Sequence, residues 1–134
     1  MGVSRRFLGA AIVAAAVFAL SGCAPGDSGG SGNPVATFQV IDETYKIELA
    51  TPELVEHVKQ LMAGDEVAGI PNGVVVRDES GPNAPWSWHI DPASLEFADF
   101  TTEVCDGLPS DVEDDLITSD RYCPWQATVT DLEE

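Results

Sequence analysis

The first 35 residues limit what this chain can fold into, because nearly all of them read as segments that contribute nothing to a core. Arg5-Arg6 precede an apolar run from Phe7 to Leu20, and the small residues Ser21 and Gly22 then lead to Cys23. That order of charge, apolar stretch and small residues is the order of a removable export signal over residues 1–22. At 14 residues the run is short for a bilayer span, which takes roughly 20. From Ala24 to Pro34 the chain is dominated by Gly, Ser, Pro and Asp, too little apolar surface to order a segment. Residues 23–35 are expected to form a flexible tether, its glycine-rich run reaching roughly 15 to 20 Å. Folding is left to residues 36–134, enough for a single domain with a modest core.

Leu20-Ser21-Gly22-Cys23 resembles a bacterial lipoprotein box. The resemblance implies that Cys23 becomes the first mature residue and carries lipid, which anchors an exported protein to the outer face of the bacterial cytoplasmic membrane. Ser4-Arg5-Arg6-Phe7-Leu8 is similar to a twin-arginine export signal but lacks the spacer after the arginines, so the export route stays open. The chain has 23 acidic and 6 basic residues, a net charge of −17. Loss of residues 1–22 removes two of the basic ones, giving −19. Lys46, Lys59, Arg77 and Arg121 remain, too scattered to neutralise a phosphate backbone, so nucleic acid is not an expected partner. Anionic headgroups are disfavoured as well, which leaves the acyl chains on Cys23 as the membrane contact. Such acidity suits solubility first, with divalent cations or basic partners as the functional alternative.

With Cys23 assigned to lipid, Cys105 and Cys123 form an even pair in an exported chain and are expected to make a disulfide. Closing that loop stabilises a fold by roughly 3 kcal/mol. The pair lacks the Cys-x-x-Cys spacing of a redox-active site.

Alternation marks strands at Phe38–Val40 and Thr44–Leu49, with Asp42-Glu43 as the turn between them. Thr51-Pro52-Glu53 supplies an N-cap, a proline at the first helical position and an acid in the first turn, and Gly64 is a stop. Leu54, Val55, Val58, Leu61 and Met62 then share one helix face. Asn72-Gly73 is read as a turn into a strand at Val74–Val76, and Trp86–Asp91 as a further strand. Two more strands are expected at Glu96–Cys105 and Trp125–Leu132. Ser110 to Glu113 has the form of a capping box for a short helix with Val112, Leu116 and Ile117 on its apolar face. The expected class is α+β, a mostly antiparallel sheet of about six strands with one amphipathic helix and one short helix. A β-sandwich with helical insertions is the alternative.

The densest cluster of reactive side chains is Ser87, His89 and Asp91, on one face of the expected strand. Neighbours two apart lie roughly 6.5 to 7 Å apart along a strand, too far for the hydrogen bonds of a Ser-His-Asp triad. His89 can still act with acids from elsewhere, and Glu103 and Asp106 are the candidates for a divalent metal site, Ca²⁺ or Zn²⁺, or for acid-base work. The acidic run from Asp106 to Asp115 does not match an EF-hand loop. Trp86, Trp88 and Trp125 read as core, or as a carbohydrate platform if exposed. His57 reads as surface.

Four segments together carry a resemblance: Phe38–Lys46, Trp86–Pro92, Glu103–Ser110 and Arg121–Trp125. They resemble the amino-terminal domain of a eukaryotic calmodulin-binding protein, a domain that also occurs alone in exported bacterial proteins, and the resemblance covers about residues 36–132. It implies no catalytic activity. Calmodulin itself is not an expected partner, since it takes basic amphipathic helices and this chain is acidic. The expected function is a lipid-anchored extracytoplasmic binding or accessory domain of unknown ligand, with a polar surface around Ser87, His89 and Glu103. The alternative is a metal-dependent or His-assisted hydrolase centred on His89 and Glu103.

Overall fold

The computed structural model describes residues 32–134, so the expected export signal, Cys23 and most of the expected tether lie outside the described residues. Strand β1 (Val35–Val40) and strand β2 (Glu43–Glu48) form an antiparallel hairpin. Ile41, at φ 60, sits in its turn. Alternation drives this pair as expected: Ala36, Phe38, Val40, Tyr45 and Ile47 are buried, and Leu49 follows just beyond β2. The final strand, which returns to pair with β1, completes a three-stranded sheet with β1 in its centre.

Helix α1 (Pro52–Ala63) begins and ends where the local chemistry directs. The Thr51 hydroxyl accepts the Leu54 N–H at 3.3 Å, and Gly64 closes the helix in the left-handed region at φ 82. Val58 is fully buried, while Met62 at the end of the apolar stripe is exposed.

Strand β3 (Ile70–Arg77) organises a second antiparallel sheet. Different parts of it pair with β4 (Trp88–Ile90), β5 (Glu96–Ala98) and β6 (Arg121–Tyr122). The turn expected at Asn72-Gly73 is therefore the middle of a strand. Gly73 is there for a close approach, since a Cβ at this position would collide with Ile90 Cγ2. The strand expected over Trp86–Asp91 shortens to three residues, and the one expected over Glu96–Cys105 stops at Ala98 and gives way to a 3₁₀ turn at Glu103–Cys105.

Helix α2 spans Pro109–Glu113, and β7 (Ala127–Glu133) is the strand that returns to β1. Ser110 is not the cap of α2. The Asp111 carboxylate accepts the Leu108 N–H at 2.9 Å, and Ser110 and Glu113 are engaged elsewhere. Leu116, expected on the apolar face, is exposed, while Val112 and Ile117 are buried.

The two sheets meet across an aromatic core. Tyr45 of β2 lies 5.8 Å from Trp88 and 5.2 Å from Tyr122, and Phe38 of β1 lies 6.2 Å from Phe97. Buried Asn83 bridges them with polar bonds, accepting the Lys46 N–H at 2.7 Å and donating to the Trp88 carbonyl at 2.9 Å. Among the described residues, seven mostly antiparallel strands in two sheets, with one main helix and short 3₁₀ turns, make the fold α+β. Among the described residues no helix is long and apolar enough to cross a membrane.

Candidate functional site

The residues singled out as reactive are divided among separate parts of the fold. Ser87 precedes β4 and is held by Glu113, whose carboxylate accepts its N–H at 2.9 Å and its hydroxyl at 2.7 Å. His89 pairs opposite Val76 in the sheet, half-buried. Its Nδ1 lies 2.7 Å from the Glu79 carbonyl oxygen, which can only accept, so Nδ1 carries the proton of that bond. A Cβ on Gly81 would come within 3.1 Å of the His89 ring, so the loop lies directly against the imidazole. Asp91 receives the Ala93 N–H at 3.0 Å as the cap of a 3₁₀ turn.

Glu103 and Asp106 belong to the loop that the disulfide fixes. Cys105 and Cys123 are bonded, as the cysteine count predicts. Asp106 Oδ1 accepts the Trp125 N–H at 2.8 Å, whereas the Glu103 carboxylate is exposed. Among the described residues no group of three or more His, Cys, Asp and Glu converges to hold a cation.

The clefts are shallow in chemistry. One of about 480 Å³ is lined by Asn33, Thr51, Val55, Lys59 and Glu134. Another of about 390 Å³ is lined by Leu54, His57, Leu95 and Phe97. His57, read as surface, is half-buried at the wall of this cleft. Its ring stacks on Phe97 at 4.3 Å and its Nε2 lies 2.6 Å from the Ala68 carbonyl oxygen.

What the described residues do bring to one end of the first sheet is a set of segments that each carry an exposed apolar side chain. Phe100 is 86% exposed, Val104 71%, Ile41 60% and Trp125 43%, against the tendency of such side chains to be buried. The connections that gather them are covalent and polar. Cys105, next to Val104, is bonded to Cys123, two residues before Trp125. The Trp125 indole N–H donates to Thr101 Oγ1 at 2.7 Å, beside Phe100. Ile41 follows Val40, which pairs with Ala127, and a cleft is lined jointly by Ile41, Asp106 and Gln126. Of the three tryptophans, Trp88 is core and Trp86 is half-buried, its indole N–H donating to the Thr44 carbonyl at 2.8 Å. Trp125 is the one placed for contact. Its neighbour Phe100 escaped sequence reasoning, because it lay within the expected strand.

No curated protein and no solved structure matches this chain. The family model described as the BP-74 N-terminal domain matches residues 34–134, from just before β1 to the last residue and across all four segments that carried the sequence resemblance. On that coverage, the chain belongs to the BP-74 N-terminal domain family.

Proposed function

We propose that the protein is a lipid-anchored, extracytoplasmic binding or accessory domain, held at the outer face of the bacterial cytoplasmic membrane through Cys23. Its contact surface is the end that carries Phe100, Val104 and Trp125. The single observation behind this reading is that these large apolar side chains are all exposed on two segments that a disulfide and the Trp125 hydrogen bonds tie together. Exposed apolar groups on a rigid support favour binding, because little ordering entropy is lost on contact.

The tether supports the same orientation. It enters at the Val35 end of β1, whereas Ile41 follows the other end, and six strand residues separate the two by roughly 17 Å. An anchor at Cys23 leaves the apolar end free to point away from the lipid surface. Ser87 and His89 are engaged by Glu113 and by Glu79, so of the polar residues first considered Glu103 is the one on the contact surface.

A photo-crosslinking amino acid at position 100 of the full chain, in the producing cells, tests the reading. Covalent adducts are expected from position 100 and not from exposed position 62 on α1. Mass spectrometry of the membrane-extracted protein is expected to find Cys23 lipidated. Absence of adducts specific to position 100 refutes the contact surface, and an unlipidated Cys23 refutes the anchor.

A further inference from the structure

Resting on the reading of that end as a contact surface, we infer that its partner is a basic protein segment carrying apolar side chains. The inference comes from the distribution of charge around the cluster. Asp42 follows Ile41 at the hairpin turn, Asp99 precedes Phe100, and Glu103 precedes Val104. All three are exposed, and among the described residues none of their carboxylates has a cation or a hydrogen-bond donor.

The domain has no cation to spare for them. Lys46 is paired with Glu133 at 3.6 Å, Lys59 with Glu134 at 2.8 Å, Arg77 with Asp115 at 2.9 Å and Arg121 with Glu96 at 3.4 Å. An apolar centre with an unneutralised acidic rim is complementary to apolar anchors flanked by Lys or Arg. The same rim disfavours the competing occupants. A second copy brings the same carboxylates to the same place, and an anionic membrane is repelled by a mature chain of net charge −19. Close to the surface the attraction acts within about one Debye length, roughly 8 Å at physiological salt. The rim therefore selects and steers the partner while the apolar side chains hold it.

The test uses the full chain, extracted from membranes and reconstituted in zwitterionic nanodiscs, with empty discs as the reference. The probe is a short fluorescent peptide in which lysines flank a Leu-Phe-Leu centre. An analogue with glutamates in place of the lysines is the counter-probe, and anisotropy reads binding. Two charge variants lose the same number of carboxylates, one at the rim (Asp42→Asn, Asp99→Asn, Glu103→Gln) and one at a distance (Glu56→Gln, Asp65→Asn, Glu66→Gln). All six positions are exposed, so both variants keep the fold.

The rim variant is expected to weaken the lysine peptide at least about tenfold and the distant one less than about twofold. Phe100→Ser with Val104→Ser is expected to weaken it about tenfold or more. Equal losses from the two charge variants reduce the effect to bulk attraction and overturn the inference. Binding of the glutamate analogue, or indifference to the Phe100 and Val104 changes, overturns it too. Adducts at position 100 in cells together with failure of the lysine peptide leave the contact surface standing and reject only the basic partner. Absence of those adducts rejects both.

Discussion

Two serines in this domain are held in the same way, and the pattern explains why a hydroxyl that looks reactive is not free to react. Glu113 accepts both the N–H and the hydroxyl of Ser87, at 2.9 and 2.7 Å, and Glu43 accepts both from Ser110, at 2.8 and 2.7 Å. In each case an ionised carboxylate spans a backbone and a side-chain donor of one residue, which makes the bonds charge-assisted. The two clamps fasten α2 on both sides, to β2 through Glu43 and to the segment before β4 through Ser87. Ser87→Ala removes one bond and leaves the N–H contact, so a loss of about 1 kcal/mol is expected. Glu113→Ala removes both acceptors and is expected to lose roughly 2 to 3 kcal/mol. Urea unfolding midpoints at constant slope measure both. A Ser87→Ala protein of unchanged stability shows the clamp to be inert and returns the hydroxyl to candidacy.

Elements were legible in the sequence wherever the signal that fixes them is local. Thr51, Pro52 and Gly64 lie within or next to α1, and its bounds followed from them. The alternation of β1 and β2 is equally local, and the cysteine pair followed from counting. Gly73 misled because its cause is tertiary: the glycine answers Ile90, which faces it from β4, and a sequence offers no sign of that approach. The loop from Asp99 to Asp106 misled for a related reason. Its shape is set by bonds to residues well beyond it, Cys105 to Cys123 and Asp106 to the Trp125 N–H. The strand expected over Glu96–Cys105 took in Phe100 and Val104, although both are exposed outside any strand. The disulfide is thus both a fastening for β6 and the brace of the apolar end. Replacing both cysteines, Cys105→Ser with Cys123→Ser, is expected to cost about 3 kcal/mol for a loop of this length. Thermal and urea unfolding of the variant against the oxidised parent measure it, and a difference below about 1 kcal/mol contradicts an entropic role for the bridge.

At the scale of the whole molecule the surplus of negative charge and the aromatic core set a limit to stability at high pH. Tyr45 and Tyr122 are the only tyrosines of the chain, and both are buried in the core. The Tyr122 hydroxyl donates to the Gly107 carbonyl at 2.8 Å, while the Tyr45 hydroxyl is buried without a partner. Burial pushes both phenols well above their ordinary value, and for Tyr122 the neighbouring Tyr45, Asp106, Glu43 and Asp111 push further. In the unfolded chain each phenol titrates near 10. Above that pH the unfolded state has released protons that the folded state still holds, so stability falls as pH rises. The contribution is intact below about pH 10 and declines by about 1.4 kcal/mol per pH unit for each tyrosine above it. Both together remove nearly 3 kcal/mol per unit, enough to unfold a domain at the lower end of the usual range, roughly 5 kcal/mol, by about pH 12. The expected result is a single alkaline transition in which tyrosinate absorbance appears together with loss of the near-ultraviolet circular dichroism of the aromatic core. A tyrosinate step near pH 10 in a protein that keeps that signal means a phenol open to solvent, and with it a core packed differently from the one that joins the two sheets.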